Sequence, residues 1–285
     1  VGVGVAFWIA RPLRRLAQFS EAVAEGQRLA LPKLYGREVQ ELGRALDGMR
    51  EALMGRRQAE SAVRGLVHEV KAPLAGIRAS AELLLEEMAE PERQRFLGHI
   101  LTESGRLETL VGRMLELAAL EGRPALGERE RQDLQSLARE AAEAEASLAT
   151  QKGVLVETKG VLVETLRLEA PVEVRGDALL LRQALRNLVH NAVRAACSGG
   201  TVTVTVSAAG EWATVMVDDT GPGIPDYALP RLFERFYSVP LPGETRRGTG
   251  LGLAFVREVA LLHGGEATLA NREGGGARAT LRLPL

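Results

Sequence analysis

A histidine followed directly by a glutamate lies in the middle of a long amphipathic segment, at His68 and Glu69. A neutral imidazole nitrogen is a competent nucleophile near neutral pH. An adjacent carboxylate can orient the ring and take up its proton, which is the role of a general base. A histidine on a helix is usually an ordinary surface or core residue, so the pair alone does not define a site. The other three histidines (His99, His190, His263) lack this setting.

A second group of polar residues lies on one predicted helix further along the chain. Asn187 and Asn191 are one helical turn apart and therefore share a face. Their amide oxygens are suitable ligands for a Mg²⁺ ion that keeps several waters and bridges phosphates. Arg194 can reach a phosphate on the same face. These three residues predict a binding site for nucleotide phosphates.

Two glycine-rich segments complete the predicted nucleotide pocket. Asp219 ends a predicted strand, and its carboxylate can accept a hydrogen bond from the exocyclic amine of adenine. Gly221 and Gly223 follow it and let the backbone approach the base closely. The second segment opens a predicted helix, whose N-terminus offers amides to phosphate; its glycines are Gly248, Gly250 and Gly252. Each piece alone also fits an ordinary turn or cap, but together with the paired asparagines they predict ATP binding.

Up to about residue 122, the elements that must position these groups are helices. Apolar residues recur at helical spacing along two long arms, one of which contains His68. Pro91 marks the turn between the arms, and Pro73 should kink the first arm. Neither arm can bury its apolar stripe alone. We therefore predict a homodimer in which two hairpins form an antiparallel four-helix bundle.

From residue 132 onward, helical and strand patterns alternate. The pattern predicts helices over 133–151, 177–196 and 251–263, strands over 201–207 and 212–217, and two closing strands. This order predicts an α/β sandwich with helices on one face of a mixed sheet. A tandem repeat covers 152–158 and 159–165, and its two copies could pair as a hairpin around Lys159 and Gly160.

The first ten residues are almost wholly apolar, but a bilayer requires about 20. Trp8 is followed by Arg11, Arg14 and Arg15. An aromatic residue and then a cluster of arginines is typical of the cytoplasmic end of a membrane helix. We therefore expect the remnant of a span in the inner (plasma) membrane, with the chain cytoplasmic after about Arg11.

Composition excludes two classes of protein. The net charge of −1 gives no basic footprint, so we expect no direct nucleic-acid binding. The single cysteine, Cys197, rules out an intramolecular disulfide framework.

These motifs resemble those of the sensor histidine kinases of two-component systems. His68 lies in a segment that resembles the phospho-acceptor box. The other boxes of that family resemble residues 186–192 (N box), 219–225 (first glycine box), 232–237 (F box) and 248–253 (second glycine box). Residues 68–74, 225–229 and 236–238 are similar to the CreC-type kinases in particular.

The resemblance implies a multidomain α + α/β protein. Its parts would be the end of a truncated transmembrane helix at 1–10, a HAMP linker at 11–57, a dimerisation and histidine-phosphotransfer domain at 58–122, a hinge at 123–131 and a catalytic ATP-binding domain of the Bergerat (GHKL) type at 132–285. It implies autophosphorylation of His68 by ATP, with Asn191 on Mg²⁺ and Asp219 on adenine. Residues 225–247 would be a mobile lid. The phosphoryl group would then pass to an aspartate on the receiver domain of a response regulator.

Two positions depart from the family pattern. Ala72 stands where the family usually has Thr or Asn, and it offers neither hydroxyl nor amide to hold a water. We therefore expect weak phosphatase activity toward the regulator. Ala277 stands where the family often has a Ser or Thr that supports the adenine base.

Two other functions fit parts of the sequence. An ATP-hydrolysing machine of the Hsp90, gyrase or MutL type shares the pocket, but it carries a glutamate as the general base for water at the position of Asn187. The amide of Asn187 cannot take a proton from water. A non-enzymatic membrane adaptor would require the loss of a key group, yet His68, Asn191 and Asp219 are all present.

Overall fold

The computed structural model describes residues 37–121, 129–159, 171–241 and 248–285. The predicted membrane remnant, the first part of the HAMP linker and residues 160–165 of the second copy of the tandem repeat lie outside these ranges. The chain forms two compact units, Val1–Arg64 and Gly65–Leu285. Within the described ranges, none of the helices combines the length and the apolar character that crossing a membrane requires.

The predicted hairpin consists of two long helices, α1 (Arg37–Leu83) and α2 (Glu90–Glu121). α1 continues through position 57, where the sequence placed a domain boundary. Pro73 is buried within α1 and does not end it. Pro91 lies in the first turn of α2 rather than in the connection itself, because the first helical turn has no backbone partner for the missing N–H.

Both arms of the hairpin leave large apolar side chains exposed. On α1 these include Val67 and Leu74, and on α2 they include Leu101, Val111 and Leu115, with 49–74% of each side chain accessible. Val67 and Leu74 are two turns apart on α1, and Val111 and Leu115 are one turn apart on α2, so each pair shares a helix face; exposed apolar faces are typical of interaction surfaces. A second hairpin would cover them, as the predicted four-helix bundle requires.

The remaining described elements form the α/β domain. Its helices are α3 (Leu134–Ala144), α4 (Ala146–Lys152), α5 (Ala178–Ala195), a 3₁₀ turn at Leu229–Arg231 and α6 (Gly252–Leu262). Its strands are β1 (Glu130–Asp133), β2 (Leu155–Lys159), β3 (Glu173–Gly176), β4 (Thr201–Ala209), β5 (Trp212–Asp219), β6 (Glu266–Asn271) and β7 (Ala277–Pro284). The five-stranded sheet has the order β2-β4-β5-β7-β6. Among the strands that the structure describes, β2 and β4 pair in parallel and the other pairs of this sheet are antiparallel, so the predicted mixed sheet is confirmed.

Two boundaries predicted from the sequence are wrong. Residues 130 and 131, assigned to the hinge, belong to β1, which pairs antiparallel with β3. The single helix predicted over 133–151 is interrupted at Glu145, which caps α3 and precedes α4. Glu145 is buried and pairs with side chains of α5, a tertiary contact that local helix propensity does not reveal.

One face of the sheet carries the core. Along β4, β5 and β7 every second residue is buried, as in Val204, Val215 and Leu281. α3, α5 and α6 pack against this face. α5 begins at Asp177, whose carboxylate accepts hydrogen bonds from the backbone of Leu179 and Leu180.

The buried face of α5 provides a test of the fold. Leu181 is fully buried, so Leu181→Ala should lower the free energy of unfolding by about 2–5 kcal/mol through lost burial and a cavity. Leu179 lies on the same helix but is 69% exposed, and Leu179→Ala should change stability by less than about 0.5 kcal/mol. Chemical denaturation followed by circular dichroism measures both values. Equal losses for the two variants would contradict this assignment of the core.

Candidate active site

A cleft of about 500 Å³ opens beside α5, the loop after β5 and the start of α6. Most of the residues predicted to bind ATP line it: Asn187, Asn191, Arg194, Asp219, Gly223, Gly248, Gly250 and Gly252. Gly221 is not among the lining residues. It lies behind Asp219, and its N–H donates to Asp219 Oδ1 at 2.8 Å. The structure therefore brings together, around one cavity, segments that are far apart in the chain.

α5 presents its polar face to the cleft because its apolar face is buried in the core. Asn187 and Asn191 are half-buried on the exposed side of the helix, together with Arg194. The start of α6 approaches them closely, since a Cβ atom on Gly248 would lie 2.7 Å from Arg194 Nη1. Amide oxygens beside a helix N-terminus suit Mg²⁺ carried by phosphates, because this ion takes oxygen ligands and needs only one or two from the protein.

Asp219 is the buried acid of the cleft, with 5% of the residue exposed. Burial raises the pKa of its carboxyl above the ordinary value, although backbone N–H donors oppose this effect. Gly221 N donates to Oδ1 at 2.8 Å and Ala277 N donates to the same oxygen at 3.2 Å. Among the described residues both hydrogen bonds end on Oδ1, which leaves Oδ2 available for a ligand. Ala277 thus contacts the acid through its backbone N–H.

The loop after Asp219 is fixed by residues that the sequence analysis did not single out. Asn271 accepts from Ile224 N and donates to Ile224 O, both at 2.7 Å. Arg272 donates to the backbone oxygen of Asp219 at 2.9 Å. Asn271 ends β6 and Arg272 follows it, and neither belongs to a motif, so the pairing of β6 with β7 brings them to the loop.

Apolar side chains form a second wall of the cleft, which is suited to a flat base. They include Ile224, Leu232, Leu253, Leu269 and Ala279. Arg113 of α2 also lines the cleft, and His190 of α5 does so between the two asparagines. These apolar positions could not be recognised from the sequence, because an apolar residue at each of them also fits an ordinary core position.

The second glycine segment is held against the F box. Gly250 has a φ of +65°, a region that side chains rarely adopt. A Cβ atom there would lie 2.5 Å from Tyr237 N, and the Gly250 carbonyl accepts from Phe236 N at 3.0 Å. In the part of the lid predicted at 225–247 that the structure describes, up to Leu241, Phe236 and Tyr237 lie against Gly250. Residues 242–247 of the lid lie outside the described ranges.

The F box also contacts the hairpin. Phe236 packs directly on Gly65 of α1, where a Cβ atom would overlap the phenyl side chain. Arg235 forms an ion pair with Glu121 at the end of α2. Leu66 and Val70 pack against the core of the α/β domain. These contacts hold the α/β domain against one end of the hairpin.

His68 and Glu69 lie on α1 next to this contact. The imidazole of His68 is exposed, and Glu69 is half-buried. The described residues that line the cleft include none from α1. In this arrangement the predicted nucleophile therefore lies on the hairpin surface, outside the predicted nucleotide pocket.

Two known protein families match this chain. Residues 58–123 match the family described as His Kinase A (phospho-acceptor) domain. Residues 176–285 match the family described as Histidine kinase-, DNA gyrase B-, and HSP90-like ATPase. The first match contains His68 and the second contains the whole cleft apart from Arg113.

Individual relatives agree with these matches. Sensor protein CreC of Escherichia coli (strain K12) is 38% identical over 283 residues, which cover 99% of this chain and 57% of CreC. The crystal structure of full-length ShkA in complex with AMPPNP has a TM-score of 0.55 and 28% identity, over 79% of this chain and 45% of ShkA. The crystal structure of ThkA in complex with response regulator protein TrrA shares the fold, with a TM-score of 0.62 and 24% identity, over 89% of this chain and 68% of that one. The chain spans just over half the length of CreC.

Proposed function

The chain belongs to the sensor histidine kinases of two-component systems, and from this membership we propose that it phosphorylates its own His68 with ATP. The phosphoryl group then passes to an aspartate on the receiver domain of a response regulator. The observation that carries the proposal is the assembly of Asn187, Asn191 and Asp219 around one cleft, in a chain whose hairpin holds His68.

The cleft would bind both the adenine and the phosphates of ATP. Asp219 Oδ2 accepts a hydrogen bond from the exocyclic amine of adenine, and the apolar wall covers the faces of the base. The amides at the start of α6 and the Arg194 guanidinium hold the phosphates. Asn191 is the proposed protein ligand of Mg²⁺, with Asn187 beside it. When bound, Mg²⁺ neutralises charge on the phosphates and orients them for in-line transfer.

Transfer exchanges one bond for another. A bond forms between a ring nitrogen of His68 and the γ-phosphorus of ATP, while the bond from that phosphorus to the β,γ-bridging oxygen breaks and ADP leaves. Glu69 orients the imidazole and takes up the ring proton. Since His68 lies outside the cleft in the described arrangement, transfer requires a nucleotide-loaded cleft to approach it: either that of the same chain, after the α/β domain leaves its contact at Gly65 and Phe236, or that of the other protomer.

The remaining parts follow the family pattern. The exposed apolar faces of α1 and α2 support a homodimer built through the hairpin. We keep the domain division made from the sequence, with the α/β domain extended to begin at Glu130. The apolar start of the chain and the arginines after Trp8 support an anchor in the plasma membrane, with the rest cytoplasmic.

Incubation with ATP labelled at the γ-phosphate separates this proposal from its rivals. A histidine kinase retains the label on protein as acid-labile phosphate. An ATP-hydrolysing machine releases free phosphate and leaves the protein unlabelled, and an adaptor does neither. Asn187 already argues against hydrolysis, because its amide cannot accept a proton from an attacking water.

Ala72 predicts a kinase with little phosphatase activity. It lies one turn after His68 on α1 and is exposed, but its methyl group cannot position a water. The wild-type protein should dephosphorylate a phosphorylated cognate regulator slowly, and Ala72→Thr should accelerate this by about 10-fold or more, the range of a single water-positioning hydrogen bond. Loss of phosphate from the regulator is followed with and without ADP. Rapid dephosphorylation by the wild type would contradict the prediction, and Ala75→Thr, on the same helix, is the control.

A further inference from the structure

A buried carboxylate holds the histidine that lines the cleft. Glu145, at the break between α3 and α4, has only 5% of its side chain exposed. Arg186 Nε donates to Glu145 Oε1 at 2.8 Å, and His190 Nδ1 lies 2.8 Å from Glu145 Oε2. Burial opposes ionisation, but the hydrogen bonds from Arg186 and His190 outweigh it and lower the pKa of the Glu145 carboxyl below its ordinary value.

This contact fixes the orientation of the imidazole. An ionised carboxylate can only accept, so His190 Nδ1 must carry the proton and donate it to Glu145. With the ring proton on Nδ1, Nε2 is a hydrogen-bond acceptor and is the ring nitrogen available to the cleft, which His190 lines. About a third of the His190 side chain is exposed, with 32% accessible. A carboxylate that holds one histidine nitrogen and thereby directs the other toward a ligand is a known way of positioning imidazole.

The neighbours of His190 identify the part of the ligand that it would meet. Asn187 lies one turn before it and Arg194 one turn after it, so all three share a face of α5. Asn191 follows directly and also lines the cleft. Asp219 and the apolar wall, which would hold the base, come from other elements. His190 thus lies among the groups on the phosphate side of the cleft.

We propose that His190 binds the phosphate end of the nucleotide through Nε2, and that Glu145 is the positioning residue that directs it there. This inference rests on the proposed binding of ATP in the cleft. Because Nε2 then accepts, its partner would be an O–H group, a water that Mg²⁺ keeps beside the phosphates, and not a phosphate oxygen itself. Arg186 completes the arrangement by neutralising the carboxylate from its other side.

Two substitutions of His190 separate this role from a structural one. His190→Asn keeps an amide nitrogen near the position of Nδ1 and can still donate to Glu145, but it has nothing at the position of Nε2. His190→Gln has the reverse geometry. We expect His190→Asn to weaken the binding of Mg-AMPPNP and Mg-ADP by about 10- to 100-fold, the range for a hydrogen bond to a charged group, and to leave adenosine binding unchanged. His190→Gln should retain more affinity than His190→Asn, as measured by calorimetric titration.

Glu145 is tested through its dependence on His190. Glu145→Gln should weaken the binding of Mg-AMPPNP in the wild-type background but cause no further loss in the His190→Asn background. Glu140→Gln is the matched control, because Glu140 pairs with Arg182 at 2.6 Å and links the same two helices at an exposed position. It should leave nucleotide affinity unchanged.

Three outcomes would overturn the inference. The first is wild-type affinity in His190→Asn together with a loss in His190→Gln, which would limit His190 to pairing with Glu145. The second is an equal loss of adenosine and Mg-ADP binding. The third is an additive effect of Glu145→Gln. Failure of the proposed function is distinguishable from failure of this inference. A wild-type protein that binds no nucleotide or forms no phosphohistidine contradicts the proposed function directly, without reference to the His190 variants.

Discussion

His68→Gln should abolish the formation of phosphohistidine while nucleotide binding remains at the wild-type level. Glutamine has a similar length, but its amide nitrogen is not nucleophilic because its lone pair is delocalised. The side chain is exposed on α1 and contributes nothing to the lining of the cleft, so its loss should affect neither folding nor ATP affinity. Acid-labile label on the protein and mass spectrometry at alkaline pH measure the outcome.

The other histidines explain why one site is expected. His263 is buried, with Nδ1 near Val259 O at 2.7 Å and Nε2 accepting from Asp177 N at 3.1 Å. His99 Nδ1 is bonded to Ser80 Oγ at 2.9 Å. His190 Nδ1 is bonded to Glu145. All four histidines lie in the described ranges, and His68 is the exposed one on the hairpin that is followed by a carboxylate.

Glu69→Gln is the companion variant for the proton transfer. It keeps the size of the side chain but removes the base, so the rate of autophosphorylation should fall by about 10²- to 10⁴-fold with little change in the KM for ATP. Phosphate retained at another histidine of the His68→Gln protein would contradict the assignment of His68 as the phospho-acceptor. So would a Glu69→Gln variant that loses ATP affinity instead of rate.

The sequence predicted the elements whose signals are local. The helix expected over 177–196 is α5, Ala178–Ala195, because Asp177 is a strong capping residue and the apolar spacing is helical. The resemblance to CreC-type kinases is confirmed by the CreC match over nearly the whole chain. The α/β sandwich was predictable because β4, β5 and β7 alternate buried and exposed residues.

Features that depend on distant partners were not predictable. β1 has the polar sequence Glu130–Asp133 and is a strand only because β3 pairs with it. The break at Glu145 depends on Arg186 and His190, which follow more than 40 residues later. For the same reason His190 could not be recognised from the sequence: its carboxylate comes from the junction of two other helices, whereas the carboxylate beside His68 is adjacent in the chain.

Asp219→Asn should weaken ATP binding by about 100-fold, because it places a donor where adenine also presents one. The asparagine carbonyl can still accept from Gly221 N and Ala277 N, which occupy Oδ1 in the wild type. Its amide nitrogen then faces the exocyclic amine in place of Oδ2. Guanine has a carbonyl oxygen where adenine has its exocyclic amine, and this oxygen would accept a hydrogen bond from the new amide. The preference for ATP over GTP should therefore also fall. Competition titrations with both nucleotides measure these effects.

Asp218→Asn is the matched control, at the adjacent position on the opposite face of β5. Its carboxylate receives Arg278 Nε and Nη2, both at 2.7 Å, and it does not line the cleft. The substitution should leave nucleotide affinity unchanged. An equal loss of ATP affinity in both variants would indicate a general disturbance of the strand and contradict the assignment of Asp219 to adenine.

Acidification should weaken ATP binding through the same carboxyl. Only the ionised form of Asp219 accepts from the amine at Oδ2, and burial raises its pKa, so the proton returns at a higher pH than for an exposed aspartate. Affinity is therefore complete above this raised pKa and declines as the pH falls through it. Asp219→Asn has no proton to gain, so its weaker binding should lack this step. Asp218→Asn should keep the step but move it to lower pH, because the Asp218 charge also raises the pKa of Asp219. A step of the same size in Asp219→Asn would assign the titration to another group and leave the role of Asp219 without support.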